Sequence, residues 1–156
     1  MNLKYENFYH TGMVVKDFDA TCARLARESG VTFSPVINKT LPVWTRRAGE
    51  IRMLSPRAVY TVQQPSLEII QEMPGTLWEA VPGRPLHHMG FWTTDIQADS
   101  AALERGGMPL VAALMVDGRM RGYCYHESSD GLLIELVDKV AFPDWKGFLE
   151  GRVPLA

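Results

Sequence analysis

Two stretches of the sequence share the pattern His-x-Gly-x-x-x-x-Asp. The first reads His10-Thr-Gly-Met-Val-Val-Lys-Asp17, and the second reads His88-Met-Gly-Phe-Trp-Thr-Thr-Asp95, 78 positions later. A pattern that recurs within one chain is typical of a duplicated structural unit. We therefore interpret the chain as two related halves, each of which begins with one copy of the pattern.

Each copy is followed by a helical stretch with matching end signals. The apolar and polar spacing predicts helices over residues 18–28 and 96–105. Asp17 and Asp95 stand directly before them, and aspartate is a favoured N-cap residue. Glycine is the usual residue just beyond a helix end, and glycines follow both stretches: Gly30, Gly106 and Gly107.

A second repeated pattern lies further along each half. Leu67-Glu-Ile-Ile70 resembles Ile134-Glu-Leu-Val137, since both are short apolar runs with one glutamate inside. Residues 58–63 precede the first run as a candidate strand, and residues 120–126 precede the second. Turn residues separate the members of each pair. Each half therefore predicts a strand, a helix and about three further strands.

This order of strands and helices predicts an α+β protein with two modules. The first module covers residues 1–75, a linker covers 76–85, and the second module covers 86–140. Residues 141–156 form a C-terminal tail in which a short helix is predicted. Two further strand candidates lie in the first module, at 33–37 and 50–54, and prolines interrupt this region: Pro35, Pro42 and Pro56.

Two histidines and two glutamates recur at matching places in the two halves. Side chains alternate between the faces of a strand, so each of the four shares a face with apolar neighbours. A carboxylate inside an apolar strand is costly unless it is paired or binds a metal. Two imidazoles and two carboxylates suit several divalent metals. The pattern therefore predicts one metal site built from His10, Glu68, His88 and Glu135.

His87 is a competitor for His88, but only His88 aligns with His10 through the glycine and aspartate of the repeat. We therefore assign His87 to a structural or supporting position beside the metal ligands.

Composition restricts the class of protein. The chain has 156 residues, of which 46% are hydrophobic and 22% charged, and its net charge is −2. A basic excess, typical of nucleic-acid binders, is absent, and the longest apolar run, residues 110–116, is too short to span a membrane. The polar start predicts no signal peptide.

Cys22 and Cys124 are too few for a disulfide framework, so we expect reduced thiols in a cytoplasmic protein.

The repeat and its histidines and glutamates resemble the vicinal oxygen chelate superfamily, which includes glyoxalase I, methylmalonyl-CoA epimerase and extradiol dioxygenases. The resemblance covers about residues 8–138. Within the second half, Leu86-His-His-Met-Gly-Phe-Trp-Thr-Thr-Asp95 and Gly131-Leu-Leu-Ile-Glu135 are most similar to methylmalonyl-CoA epimerases. Those epimerases usually carry glutamine where Glu68 stands and use a further acidic base that has no counterpart between Val31 and Gly49.

The resemblance implies two βαβββ modules that form a curved, mostly antiparallel sheet around a metal-binding cavity. It implies one divalent metal ion (Zn, Co, Ni, Mn or Fe), a small-molecule substrate and a homodimer. The expected activity is that of a metal-dependent isomerase, epimerase or lyase that removes a proton next to a metal-chelated carbonyl, with acyl-CoA esters as one candidate class. Glu135 is the first candidate base and Glu68 the second, and Tyr123, Tyr125 and Arg47 are candidate substrate-binding residues.

Two alternative functions remain open. One is an Fe(II) dioxygenase of the same scaffold, which usually has two histidines and one glutamate, so the additional Glu68 argues against it. The other is a non-enzymatic binding protein, as in bleomycin resistance. Such proteins generally lack the metal ligands, so the complete set disfavours this alternative.

Overall fold

The computed structural model describes residues 3–155. Three helices occur there: α1 (Phe18–Ser29), α2 (Ile96–Arg105) and α3 (Trp145–Leu149). The strands are β1 (Phe8–Val15), β2 (Ile37–Asn38), β3 (Leu41–Thr45), β4 (Glu50–Leu54), β5 (Arg57–Tyr60), β6 (Ser66–Gln71), β7 (His88–Thr93), β8 (Leu110–Val116), β9 (Arg119–Glu127) and β10 (Leu133–Asp138).

All the strands join one sheet in the order β2-β5-β6-β1-β7-β10-β9-β8-β3-β4. The pairs β1–β6 and β7–β10 are parallel, and the other neighbours are antiparallel. The two halves meet at the antiparallel pair β1–β7, the first strand of each repeat. The predicted α+β class with a curved, mostly antiparallel sheet is confirmed.

The two long helices form where the capping residues predict them. The Asp17 carboxylate accepts a hydrogen bond from the Ala20 N–H at 3.0 Å, and Asp95 does the same for Ala98 at 3.0 Å. Gly30 ends α1 with φ of 68°, a left-handed conformation that favours glycine. Both helices cover the outer face of the sheet, so its inner face is left for the cavity.

Strand alternation places the two repeated glutamates on the inner face. In β6, Ile69 packs with α1 on the outside, whereas Glu68 and Ile70 face inward. In β10, Leu136 packs with α2 and Glu135 faces inward. Side chains alternate between the two faces of a strand. Because Ile69 and Leu136 pack against the helices on the outer face, the neighbouring carboxylates of Glu68 and Glu135 must face the interior.

The hairpin β3–β4 closes the sheet in a way that the sequence does not reveal. It belongs to the first half of the chain but pairs with β8 of the second half. Only residues 39–40 separate β3 from β2, which lies at the opposite edge of the sheet. The two ends of the sheet are therefore joined directly by the chain, and the sheet curls around its inner face.

Pro42 lies inside β3, although the sequence indicates an interruption there. The pairing of β3 with β8 begins at Val43, so Pro42 pairs only with Met53 of β4. A proline lacks the N–H that a second neighbouring strand would need.

Of the candidate strand at 33–37, only Ile37 lies in a strand, and Phe33 forms an isolated bridge with Thr61.

Both cysteines are free thiols, Cys22 on α1 and Cys124 on β9. Among the described residues, no helix has the length and apolar character needed to cross a membrane.

The glycines of the repeat make room for the histidines of the opposite half. Gly12 lies beside His88 in the β1–β7 ladder, and Gly90 lies beside His10. A Cβ atom on Gly12 would overlap the His88 ring, and one on Gly90 would overlap the His10 ring. The motif His-x-Gly therefore encodes a reciprocal contact, in which each module supplies a histidine and the space for the other histidine.

Replacing either glycine by alanine should displace the facing imidazole. We expect Gly12→Ala and Gly90→Ala to lower the free energy of unfolding by about 1–3 kcal/mol, because the side chains or the two strands must move apart. Chemical denaturation measures this. Gly106→Ala is the control, since its φ of −79° suits any residue and its nearest new contact is 3.3 Å away. Wild-type stability in both test variants would contradict the close packing.

Candidate metal centre

The four predicted metal ligands come from four adjacent strands of the sheet, β6, β1, β7 and β10. Gly12 of β1 stands between Glu68 of β6 and His88 of β7, whereas Gly90 of β7 stands between His10 and Glu135. Each glycine thus has a ligand candidate on both sides. Because glycine has no side chain, the two imidazoles and two carboxylates converge above it from neighbouring strands.

The converging atoms lie at the distances of adjacent ligands around one cation. His10 Nε2 is 3.0 Å from Glu135 Oε2 and 3.6 Å from Glu68 Oε2. His88 Nε2 is 3.0 Å from Glu68 Oε2 and 3.5 Å from Glu135 Oε2, and the two Nε2 atoms are 2.8 Å apart. Ligands at 2.0–2.2 Å from a metal, 90–109° apart, are separated by about 2.8–3.6 Å. The spacing fits a single ion.

Burial and charge also fit a divalent ion. Both histidines are fully buried, and Glu68 and Glu135 are only 6% and 3% exposed. Glu68 Oε2 and Glu135 Oε2 have no hydrogen-bond partner among the described residues. An unpaired carboxylate oxygen in the interior is strongly unfavourable. Two carboxylates and two neutral imidazoles carry a charge of −2, which one divalent cation neutralises.

The carboxylates shift the titration of the buried groups in the metal-free protein. Burial alone would lower the pKa of His10, but the adjacent carboxylates of Glu135 and Glu68 raise that pKa to about 9. Burial alone would raise the pKa of Glu68, but His10 and His88 lower it well below its usual range. In the absence of a metal, a proton on His10 therefore partly compensates the two carboxylates.

His87 holds His88 in the tautomer that a metal ligand needs. His87 Nε2 lies 3.0 Å from the Leu77 carbonyl oxygen, which only accepts, so this nitrogen carries the hydrogen. Burial and then the neighbouring His88 lower the pKa of His87 to about 4, so its Nδ1 is unprotonated. His88 Nδ1, 2.9 Å away, must donate to it. The lone pair of His88 is thereby left on Nε2, facing the cluster.

The structure adds a residue that sequence reasoning missed. Tyr60 stands directly opposite Glu68 on β5, as Tyr125 stands opposite Glu135 on β9. Burial is the main cause that raises the pKa of both tyrosines, and the carboxylates raise it further. The signal is present in the sequence, because each tyrosine ends or lies in the strand that precedes its glutamate, but only Tyr125 is among the predicted residues.

A cavity opens beside the two carboxylates and receives side chains from both halves of the chain. Tyr123 and Tyr125, both predicted to bind substrate, lie in its wall. Arg47 does not: it lines a separate surface groove, where it forms an ion pair with Glu79 at 3.6 Å. Trp145 of α3 lies in the cavity wall although the sequence did not single it out.

Removal of the His87 imidazole should weaken metal binding. In His87→Phe, the Nδ1–H of His88 loses its acceptor, and losses of such partners typically weaken metal affinity by about 10- to 100-fold. Competition with a chelator measures the dissociation constant for Zn²⁺. His126→Phe is the matched control, because His126 bonds Met108 and Ser100 rather than the cluster. Equal metal affinity in both variants would refute the role of His87.

Metal uptake should release a proton near neutral pH. Because His10 has a pKa of about 9 in the metal-free protein, it is protonated at pH 7 and must lose that proton to bind a cation. Metal affinity should then rise by up to about tenfold per pH unit between pH 7 and 9 and level off above that range. Calorimetry in two buffers of different ionisation enthalpy counts the protons, and a pH-independent affinity would contradict the expectation.

Solved structures with the same fold include methylmalonyl-CoA epimerases and a hypothetical protein. A Streptomyces coelicolor epimerase variant in complex with 2-nitronate-propionyl-CoA is 19% identical (TM-score 0.55, covering 84% of this chain and 92% of that chain). The Mycobacterium tuberculosis epimerase is 16% identical (TM-score 0.52, 85% and 87%). A hypothetical protein of Bacillus halodurans C-125 is 10% identical (TM-score 0.58, 85% and 93%). At these identities the likeness shows the fold.

No curated protein matches the sequence. The family model of the Glyoxalase/Bleomycin resistance protein/Dioxygenase superfamily matches residues 9–125, which is most of the chain and includes three of the four residues of the cluster. The chain therefore belongs to the glyoxalase, bleomycin resistance protein and dioxygenase superfamily.

Proposed function

We propose that this protein is a metal-dependent isomerase or epimerase that moves a proton at a carbon next to a carbonyl group of a small molecule. One observation carries the proposal: two buried carboxylate oxygens without hydrogen-bond partners, on Glu68 and Glu135, lie at the junction of a His/Glu cluster and a cavity. Such atoms are placed to hold a cation and to accept a proton.

His10, Glu68, His88 and Glu135 would hold the ion. When bound, a divalent metal acts as a Lewis acid and stabilises the negative charge that develops on a substrate oxygen. The four ligands are a mixed nitrogen and oxygen set, which suits zinc, cobalt, nickel, manganese and iron.

Glu135 is the proposed base. Its carboxylate lines the cavity, is 3% exposed and has one oxygen without a partner, so it reaches substrate in a site that excludes most water. Glu68 lies on the other strand pair and lines the same cavity. Two carboxylates from opposite halves allow a proton to be taken by one group and returned by the other, which is the requirement for epimerisation.

The neighbouring tyrosines assist without acting as bases. Burial and the two carboxylates raise the pKa of Tyr60 and Tyr125 well above the usual value. Both phenols therefore stay protonated near neutral pH, where they can donate a hydrogen bond but do not act as bases. Trp78 and Trp145 complete the wall and shield the carboxylates from solvent.

Substitution of Glu135 should separate metal binding from proton transfer. We expect Glu135→Gln to retain much of the metal and to lose solvent–deuterium exchange at the acidic carbon of the substrate by about 10²- to 10⁴-fold. NMR of exchange over acyl-CoA esters and α-hydroxy and α-keto compounds measures this, with metal content determined in parallel. Glu68→Gln is the matched control, and it should retain more exchange than Glu135→Gln.

Full exchange in Glu135→Gln would refute Glu135 as the base. A wild-type protein that takes up no divalent metal on reconstitution would refute the metal-dependent activity itself and would favour a binding protein.

Acyl-CoA esters are included among the test compounds because the Streptomyces coelicolor neighbour binds 2-nitronate-propionyl-CoA. The homodimer and the cytoplasmic location remain predictions, the first from the family resemblance and the second from the reduced cysteines.

A further inference from the structure

The cavity beside the two carboxylates is lined mainly by apolar and aromatic side chains. Its volume is about 140 Å³, and a cavity of roughly 150 Å³ holds one benzene ring. Its lining is dominated by apolar side chains and by aromatic rings from both halves: Tyr9, Tyr60, Trp78, Tyr123, Tyr125 and Trp145. Rings of this kind pack favourably against the faces and edges of another ring.

The charged groups of the cavity are few, and two of the three are carboxylates. Among the described lining residues, only Glu68, Glu135 and Lys39 carry a formal charge. Lys39 Nζ donates a hydrogen bond to the Leu155 carbonyl oxygen at 2.9 Å.

The arginines of the surface groove that contains Arg47 do not line this cavity. Arg46, Arg47 and Arg52 line the separate surface groove, which shares none of its lining residues with the cavity. A carboxylate or phosphate deep in the cavity would therefore lose its hydration without gaining a guanidinium partner, and such burial is strongly unfavourable. The part of the substrate that lies between the aromatic walls should carry no charge.

Three polar groups of the aromatic walls lack a hydrogen-bond partner among the described residues: the Tyr9 hydroxyl, the Tyr123 hydroxyl and the Trp145 indole N–H. Of these, Tyr123 lies on β9, the strand next to that of Glu135. The Tyr123 hydroxyl is buried and has no hydrogen-bond partner among the described residues. Burial and then the two carboxylates raise the pKa of Tyr123, so the phenol remains a donor. Buried polar groups are nearly always satisfied, by protein, by water or by a ligand.

The position of Tyr123 defines how far from the carboxylates that ligand atom would lie. Tyr125 is opposite Glu135 in the β9–β10 ladder, and Tyr123 is opposite Val137, two residues further along. This step corresponds to roughly 7 Å along the strand, and the two tyrosine ring centroids are 5.8 Å apart. A ring placed between the carboxylate end and Tyr123 fills this distance.

We propose that the substrate is an uncharged oxo compound with an aromatic or alicyclic ring. Its reacting carbonyl lies at the Glu68–Glu135 end, its ring lies among the aromatic walls, and a polar substituent on the ring bonds the Tyr123 hydroxyl. The inference rests on the proposed function for the position of the carbonyl, but the ring and its lack of charge follow from the walls alone.

Binding of matched probes to the metal-reconstituted protein tests the substrate class. The probes are 2-hydroxyacetophenone, hydroxyacetone, which lacks the ring, and 4-(2-hydroxyacetyl)benzoate, which carries a carboxylate on the ring. Quenching of the fluorescence of Trp78 and Trp145, with calorimetry, gives each dissociation constant. The ring compound should bind at least about tenfold more tightly than either of the others, because it buries apolar surface and carries no charge. Equal or tighter binding of hydroxyacetone or 4-(2-hydroxyacetyl)benzoate would overturn the proposal.

Tyr123→Phe tests the polar contact. Addition of a para-hydroxyl to the ring of 2-hydroxyacetophenone should improve binding to the wild type, and the variant should lose about tenfold of its affinity for that compound while binding the parent compound unchanged. Tyr5→Phe is the control, since Tyr5 is 79% exposed and outside the cavity. Equal affinities of the variant and the wild type for the para-hydroxy compound would remove Tyr123 from the proposal.

These measurements separate the two proposals. Ring selectivity in a protein that takes up no metal would refute the proposed function and leave the substrate class standing. Proton exchange with metal present, together with tighter binding of an anionic acyl-CoA ester such as methylmalonyl-CoA than of the ring compounds, would refute the substrate class and leave the function standing.

Discussion

The reciprocal contact between two histidines and two glycines is the constraint on which this structure depends. Gly12 and Gly90 let the imidazoles of the opposite half lie directly over the β1–β7 ladder. This contact joins the two modules at the centre of the sheet. It also places the imidazoles of His10 and His88 above the ladder, where they contact Glu135 and Glu68. The site and the junction of the modules are therefore one feature.

The rest of the molecule accommodates the charge that this junction concentrates. Two carboxylates enter the interior because the outer faces of their strands must hold the helices. His87 supports one imidazole through the Leu77 carbonyl, and Tyr60 and Tyr125 flank the two carboxylates. The direct passage of the chain from β2 to β3 joins the two edges of the sheet, so that one chain encloses the cavity.

Local features were predicted well, because local physics produces them. Asp17 and Asp95 begin their helices through hydrogen bonds three residues away. The ligand candidates followed from a period of two combined with internal repetition. Prediction failed where a residue's partner is remote: Pro42 indicates an interruption, yet it lies in β3 because its neighbours there are β4 and the start of the β8 pairing. Arg47, predicted to bind substrate because of its charge, lies in another groove, and its role stays a prediction.

The two modules, the ends of the long helices and the four residues of the candidate centre could be predicted from the sequence, since each depends on spacing within a short segment and on its recurrence 67 or 78 positions later. The closure by the β3–β4 hairpin, the hydrogen bonds of His87 and the aromatic walls of the cavity became visible only in the folded chain. These depend on which strands become neighbours in space, and that choice is made by the packing of the whole sheet rather than by any single segment.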